Sequence, residues 1–198
     1  MNRAGLRSRG ITLIELLTGI VIVGILLAVA APGFQTMVDR NAVVNEANRL
    51  VADIQYARSE AIKRGSPVNI CRSGDAASCT GLDCACHSGT AAREYTKGWL
   101  LYVASNRDTS FDPDDDTLLR LGYPVQSNIQ IRSDSNLNQW LSIGAAGNLD
   151  ESDQGELAVC MNGVSTTDVP GRRVTVSLTG RPLVTVMSAG ADCNPDAS

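Results

Sequence analysis

The feature that most constrains this chain is an apolar run close to its start. Across Ile11–Ala31 the polar residues are Thr12, Glu15 and Thr18. As a helix these 21 residues rise about 31 Å, enough to cross the hydrocarbon core of a bilayer. The preceding ten residues, MNRAGLRSRG, carry Arg3, Arg7 and Arg9 and no acid. Basic residues before the run and a long polar chain after it set the orientation by the positive-inside rule, with the N-terminus in the cytoplasm and the bulk outside. A cleaved secretory signal fits poorly: no clear small-residue cleavage site follows the run, and the run continues into a helical pattern. Glu15 is the exception inside it. A carboxylate in an apolar span costs about 2.5–3.5 kcal/mol on insertion scales, so it either snorkels to the interface or has a partner.

Beyond the run, Pro32 and Gly33 are expected to interrupt the helix, with Pro32 as the kink, because proline removes a backbone donor and bends the axis. Helical spacing then resumes. Val43, Ala47, Leu50, Ile54, Ala57 and Ala61 recur at three and four residues and define one apolar face. Glu46/Arg49, Arg49/Asp53 and Glu60/Arg64 have the spacing of helix-surface ion pairs. Gly65 and Pro67 stop the helix. The pattern predicts one kinked helix over about 11–64. After Pro67 the period alternates, and eight strands are predicted over 68–71, 98–104, 117–121, 129–132, 141–143, 156–161, 173–178 and 183–187. Thr179–Pro182 reads as the turn between the last two. With no second helix of useful length, the fold class is α+β: a long N-terminal helix covered by antiparallel β-sheets.

Composition narrows the function. The chain's 198 residues suit one domain plus one extra element. Aromatics at 4% are too few for a single-strand stacking platform. The lone histidine, His87, excludes sites that need two imidazoles. Net charge is −4, and removing the first ten residues leaves 14 basic against 21 acidic residues, or −7. No global basic field therefore draws the chain to DNA or anionic lipid. No Gly-x-Ser-x-Gly, P-loop or dinucleotide fingerprint is present, so nothing points to an enzyme or to a cofactor.

The string Gly10-Ile11-Thr12-Leu13-Ile14-Glu15-Leu16-Leu17 resembles the leader junction of type IV pilins and pseudopilins. Tyr56–Arg64 followed by Val68–Cys71, Gly98-Trp99 heading a strand, and Val174–Val186 around Thr179-Gly180-Arg181 resemble its minor branch, the GspH/FimT family. The resemblance covers nearly the whole chain. One departure is Ile11, where the family most often has phenylalanine. The resemblance implies that prepilin peptidase cuts after Gly10 on the cytoplasmic side and methylates the new amine of Ile11. It implies a leader at 1–10, a transmembrane or filament-core half-helix at 11–34 and a globular domain at 35–198. That domain would lie in the periplasm of a single-pass inner-membrane protein, and then in the pilus. Glu15 would pair with the Ile11 amine of a neighbouring subunit and set the docking register. The implied partners are other minor pilins, the major pilin, the inner-membrane assembly platform and a tip adhesin. The implied role is priming, assembly or tip formation of a type IV pilus, with a type II secretion pseudopilin or a pilus-associated DNA-binding protein for natural transformation as the alternatives.

Six cysteines, Cys71, Cys79, Cys84, Cys86, Cys160 and Cys193, suit an oxidising compartment. Cys160 with Cys193 is the preferred pair, because it would tie down the C-terminal tail. Cys71/Cys79 is plausible, and Cys84 and Cys86 are too close to pair comfortably with each other. Cys79, Cys84, Cys86 and His87 also invite a zinc reading, which the external topology disfavours; the reading adopted has no metal. Asp112, Asp114, Asp115 and Asp116, near Asn106 and Asp108, read as a solvated acidic loop without an EF-hand pattern. One branch of the family binds DNA through a Gly-Arg-x-Arg motif. Here Gly180-Arg181-Pro182-Leu183 lacks the second arginine. Arg172 and Arg173 could lie near Arg181 if the strands form a hairpin, so the reading allows weak DNA contact at most.

Overall fold

A computed structural model describes residues 11–74, 79, 85–86, 94–105, 110–122, 128–137, 140–149 and 153–197. Gly10 and Cys84 lie outside them. The chain divides into two compact units, with the boundary between Val38 and Asp39. One helix, α1 (Leu13–Arg64), continues through Pro32 and Gly33, so the proline does not divide it into two elements.

Among the described residues eight strands follow: β1 (Val68–Arg72), β2 (Trp99–Val103), β3 (Thr117–Gly122), β4 (Ile129–Ser133), β5 (Trp140–Ile143), β6 (Gly155–Met161), β7 (Arg172–Val176) and β8 (Pro182–Val186). They form two antiparallel sheets in the orders β3-β2-β1-β5 and β4-β6-β7-β8. Beyond α1 and the strands, a 3₁₀ turn is formed at Pro195–Ala197.

Within the second unit, the six apolar helix positions found by periodicity are all buried. They share one core with Val68 and Ile70 of β1, Leu101 of β2, Ile129 and Ile131 of β4, and Val174 and Val176 of β7. The alternating strands of both sheets thus turn one apolar face onto the helix, which is how a half-exposed sheet hides its hydrophobic side. The outer faces carry smaller clusters. Cys71, Leu100, Tyr102 and Phe111 lie on the first sheet. Ala158, Cys160 and Met187 lie on the second, packed against Ala191 and Cys193 of the tail.

Candidate functional site

The first candidate is the start of α1. Ile11 is 75% exposed, and the large apolar residues from Leu13 to Leu27 are exposed with it. The three polar side chains of the span behave differently. Thr12 accepts the Glu15 N–H at 3.4 Å and caps the helix. With Glu15 three residues on, this is the Thr-x-x-Glu order of a capping box, of which the threonine half is formed. Thr18 Oγ1 donates to the carbonyls of Ile14 and Glu15, each at 3.0 Å. Both hydroxyls are therefore satisfied inside the helix. The Glu15 carboxylate meets no partner among the described residues. It lines one shallow groove with Ile11, Leu16, Gly19, Ile20 and Val23. A helix of this length and apolarity can cross a membrane.

The second candidate is the β7–β8 hairpin with its three arginines. The hairpin forms, but the register separates them. Arg172 faces Val186 and Arg173 faces Thr185, whereas Arg181 immediately precedes Pro182, which faces Val176 at the turn. Five residues along β8 place Arg181 about 16 Å from the Arg172 end. Arg173 is paired with Glu156 at 3.2 Å, and Arg172 donates to the Pro170 and Gly171 carbonyls. The expectation of a single patch at 172, 173 and 181 is thus corrected: a hairpin joined by a tight turn brings opposite strand ends together, and these arginines sit at different ends.

Arg181 instead lines a cleft of about 360 Å³ with Arg58, Gln55, Ser59, Ile62, Gly180 and Pro182. Arg58 Nε donates to the Gly147 carbonyl at 2.9 Å. The turn that lines the cleft has Gly180 at φ +68°, and the turn that accepts Arg58 has Gly147 at +76°. A side chain at Gly180 would also run into the Gly147 carbonyl, so both backbone shape and space demand glycine there.

Two disulfides are described. Cys160 is joined to Cys193, with Cα atoms 6.0 Å apart. Cys71 is joined to Cys86, not to Cys79, with Cα atoms 5.6 Å apart. The reason is that the chain returns at Cys86 to bridge Ser73, which extends the line of β1 and brings residue 86 beside it. Cys79 is disulfide-bonded as well. Oxidised sulfur is no thiolate ligand, which removes Cys79 and Cys86 from the zinc reading. In the acidic loop, Asp116 accepts from the Ser105 and Asp112 N–H groups at 2.9 Å, and Asp112 accepts from the Asp114 N–H at 3.0 Å. These carboxylates close their own turn.

Sequence periodicity missed the most buried polar group on the helix. Asp53, expected on the helix surface beside Arg49, is 1% exposed. It accepts a hydrogen bond from Trp99 Nε1 at 2.8 Å. Arg120 Nη1 lies 3.1 Å from its other oxygen, an ion pair without hydrogen-bond geometry. The Arg49 guanidinium stacks over the Trp99 ring at 5.6 Å. Burial raises the Asp53 pKa, and the Trp99 bond and the two arginines offset this in part. A signal was present: Asp53 is three residues after Leu50 and four before Ala57, which puts it on the apolar face. The expected Glu60/Arg64 pair forms at 2.6 Å, and Lys63 adds a second contact at 3.2 Å. These bonds lower the Glu60 pKa.

Comparison with known proteins extends this picture. A profile of a prokaryotic N-terminal methylation motif matches residues 5–31. A profile described as type II transport protein GspH matches residues 46–180. No curated protein matches the chain. Among solved structures, the Pseudomonas aeruginosa type IV minor pilin FimU superposes with a TM-score of 0.53 at 21% identity, covering 79% of this chain and 98% of that one. A second crystal form of FimU gives 0.48 at 21% identity over 74% and 96%. The fold is that of a type IV pilin, a long N-terminal helix packed on antiparallel sheets. The GspH match spans most of the chain and joins a methylation motif on an exposed apolar helix: the protein belongs to the GspH family, as a structural, pilin-like subunit of a type IV pilus or type II secretion system.

Proposed function

We propose that the chain is a minor pilin that helps prime or build a type IV pilus. Prepilin peptidase removes residues 1–10, cutting after Gly10, and Ile11 becomes the methylated first residue. The half-helix 11–34 holds the protein in the inner membrane and then in the filament core. The domain 35–198 faces the periplasm and later the outside of the cell, and Pro32 bends the helix between them. The partners are the major pilin, other minor pilins, the assembly platform and a tip adhesin.

One observation carries this reading. Of three polar side chains in the apolar span, two are satisfied within the helix, and the Glu15 carboxylate alone has no partner among the described residues. In an apolar filament core an unpaired charge is costly, by several kcal/mol as an order of magnitude. The Ile11 amine of a neighbouring subunit supplies the complement and fixes the register. A secretion pseudopilin would use the same device, and the type II description of the matched profile favours that second reading.

Mass spectrometry of the assembled protein tests the proposal. The expected mature chain starts at a methylated Ile11, and Gly10→Val leaves an uncut precursor. An intact leader in assembled filaments would contradict it. Deleting the gene and scoring piliation against secretion separates the two systems.

A further inference from the structure

The two edges of the second sheet are finished differently. At the β4 edge the chain covers itself. Glu94 bridges Arg132, the Tyr95 N–H donates to the Ile131 carbonyl at 2.9 Å, and Thr96 Oγ1 accepts the Ile131 N–H at 3.3 Å. An ion pair between Arg132 and Glu94 at 3.2 Å closes that edge. At the β8 edge no described segment does this.

The register shows what β8 leaves open. Met187 N–H bonds to Gly171 and Ser177 N–H reaches Arg181, which makes 171/187 and 177/181 the hydrogen-bonded pairs of the hairpin. Alternation then gives 173/185 and 175/183 the same role. The backbone groups of Pro182, Val184 and Val186 therefore point away from β7. Two N–H and three C=O groups form a template for another strand, since Pro182 has no N–H to offer. The side chains suit a partner as well. Leu183 is 62% exposed and Val186 63%, on an uncharged strand, PLVTV, rich in β-branched residues. Natural edges are usually blunted by charge, proline, bulge or cover; Pro182 blunts the first position of β8, and among the described residues Leu183–Val186 has none of these.

The basic cleft opens at the start of the same strand. Arg58 and Arg181 face it, and neither has an acidic partner among the described residues. Half-exposed Ile62 and Pro182 supply apolar contact beside them.

We propose that the β8 edge is a strand-addition site for an extended segment of a neighbouring pilin-like subunit. That segment pairs with Val184 and Val186, lies against Leu183 and Val186, and places a carboxylate between Arg58 and Arg181. Main-chain bonds would supply affinity, and the two arginines would select an acidic segment. This deepens the assembly reading and rests on it. It adds a contact made by the globular domain to the one made by Glu15.

The test places a photo-crosslinking residue at position 183 of the full chain in its own cells. A second chain carries the same probe at Val164, an exposed apolar site on the β6–β7 connection. The expected result is an adduct at 183, and none at 164, with a protein that carries an N-terminal methylation motif. Val186→Pro removes an outward N–H and leaves the β7 ladder intact, and should cut the adduct at least tenfold. Arg181→Glu, at an exposed turn, should cut it similarly without touching the ladder, which keeps the test valid if the proline variant misfolds. An undiminished adduct in Arg181→Glu, or in a folded Val186→Pro chain, would overturn strand addition. An adduct with DNA in place of a subunit would overturn the choice of partner. Filament incorporation, scored separately with Glu15→Ala, reports on the assembly reading. A chain that never enters filaments yet gives a Val186→Pro-sensitive adduct would break that reading and leave the edge site standing.

Discussion

The two parts of α1 make a controlled comparison, one helix under two regimes. From Leu13 to Leu27, and again at Phe34, Met37 and Val38, its large apolar residues are exposed; from Val43 to Ala61 its apolar face is fully buried. The secondary structure is the same throughout. Distribution of polar residues differs. The first part is apolar on every side with a single carboxylate, whereas the second concentrates apolar residues on one stripe, interrupted by Asp53, and carries its other charges elsewhere. A helix that is hydrophobic all round needs surroundings beyond its own domain, such as lipid or other helices, and an amphipathic one is satisfied by its own sheets. The comparison teaches that the second half is satisfied by its own domain, whereas the first needs surroundings that its own domain does not supply.

The strongest way to break this comparison is Glu15→Ala. It should lower incorporation into filaments by tenfold or more, while the purified domain keeps its melting temperature. Unchanged incorporation, counted by immunogold labelling or quantitative blotting of sheared filaments, would show that the carboxylate has no role in docking.

Matched truncations sharpen the contrast. Leu50→Ala removes a buried side chain from the shared core and should destabilise the domain by roughly 2–5 kcal/mol in urea unfolding. Leu17→Ala, in the exposed half, should leave domain stability within about 0.5 kcal/mol of the parent. Equal effects would mean that the two halves share one folding unit.

A smaller effect concerns pH, and two carboxylates on the buried half push in opposite directions. Asp53 has a raised pKa, so from its ordinary value of 3.8 up to its folded value the folded state holds more protons than the unfolded one. Its contribution therefore worsens as pH rises through that window. Glu60 has a lowered pKa, and its contribution is present above 4.5 and is lost as pH falls through the folded value. The stability advantage of the parent over Asp53→Asn should be larger at pH 3 than at pH 7. Its advantage over Glu60→Gln should be larger at pH 7. Thermal melts across that range decide both signs.

The smallest expected effect is on DNA. Arg172 is engaged with backbone carbonyls, Arg173 with Glu156, and Arg181 lies at the other end of the hairpin. DNA binding by the domain should be weak and salt-sensitive, and Arg172→Ala should change it little. Micromolar binding lost in that variant, in a titration near physiological salt, would restore a functional patch.

The regular elements were legible in the sequence because each rests on a local repeat. The spacing of Val43, Ala47, Leu50, Ile54, Ala57 and Ala61 marks a helix stripe whatever it packs on, and alternation after Pro67 marks strands. The methylation motif over 5–31 was legible for another reason: it is read as linear sequence, and the isolated Glu15 carboxylate in an apolar run stands out without coordinates.

What escaped depends on contacts between residues far apart in the chain. Asp53 meets Trp99 of β2 and Arg120 of β3 only because the first sheet packs neighbouring strands onto the helix. Cys71 takes Cys86 over the nearer Cys79 because a returning segment bridges Ser73, and sequence distance does not measure spatial distance within a loop. The separation of Arg172 from Arg181, and the β8 edge that no described segment covers, follow from strand register and strand order. Local propensity fixes which residues are extended; which strands become neighbours, and which edge stays uncovered, is settled by burying both apolar sheet faces on α1 at once.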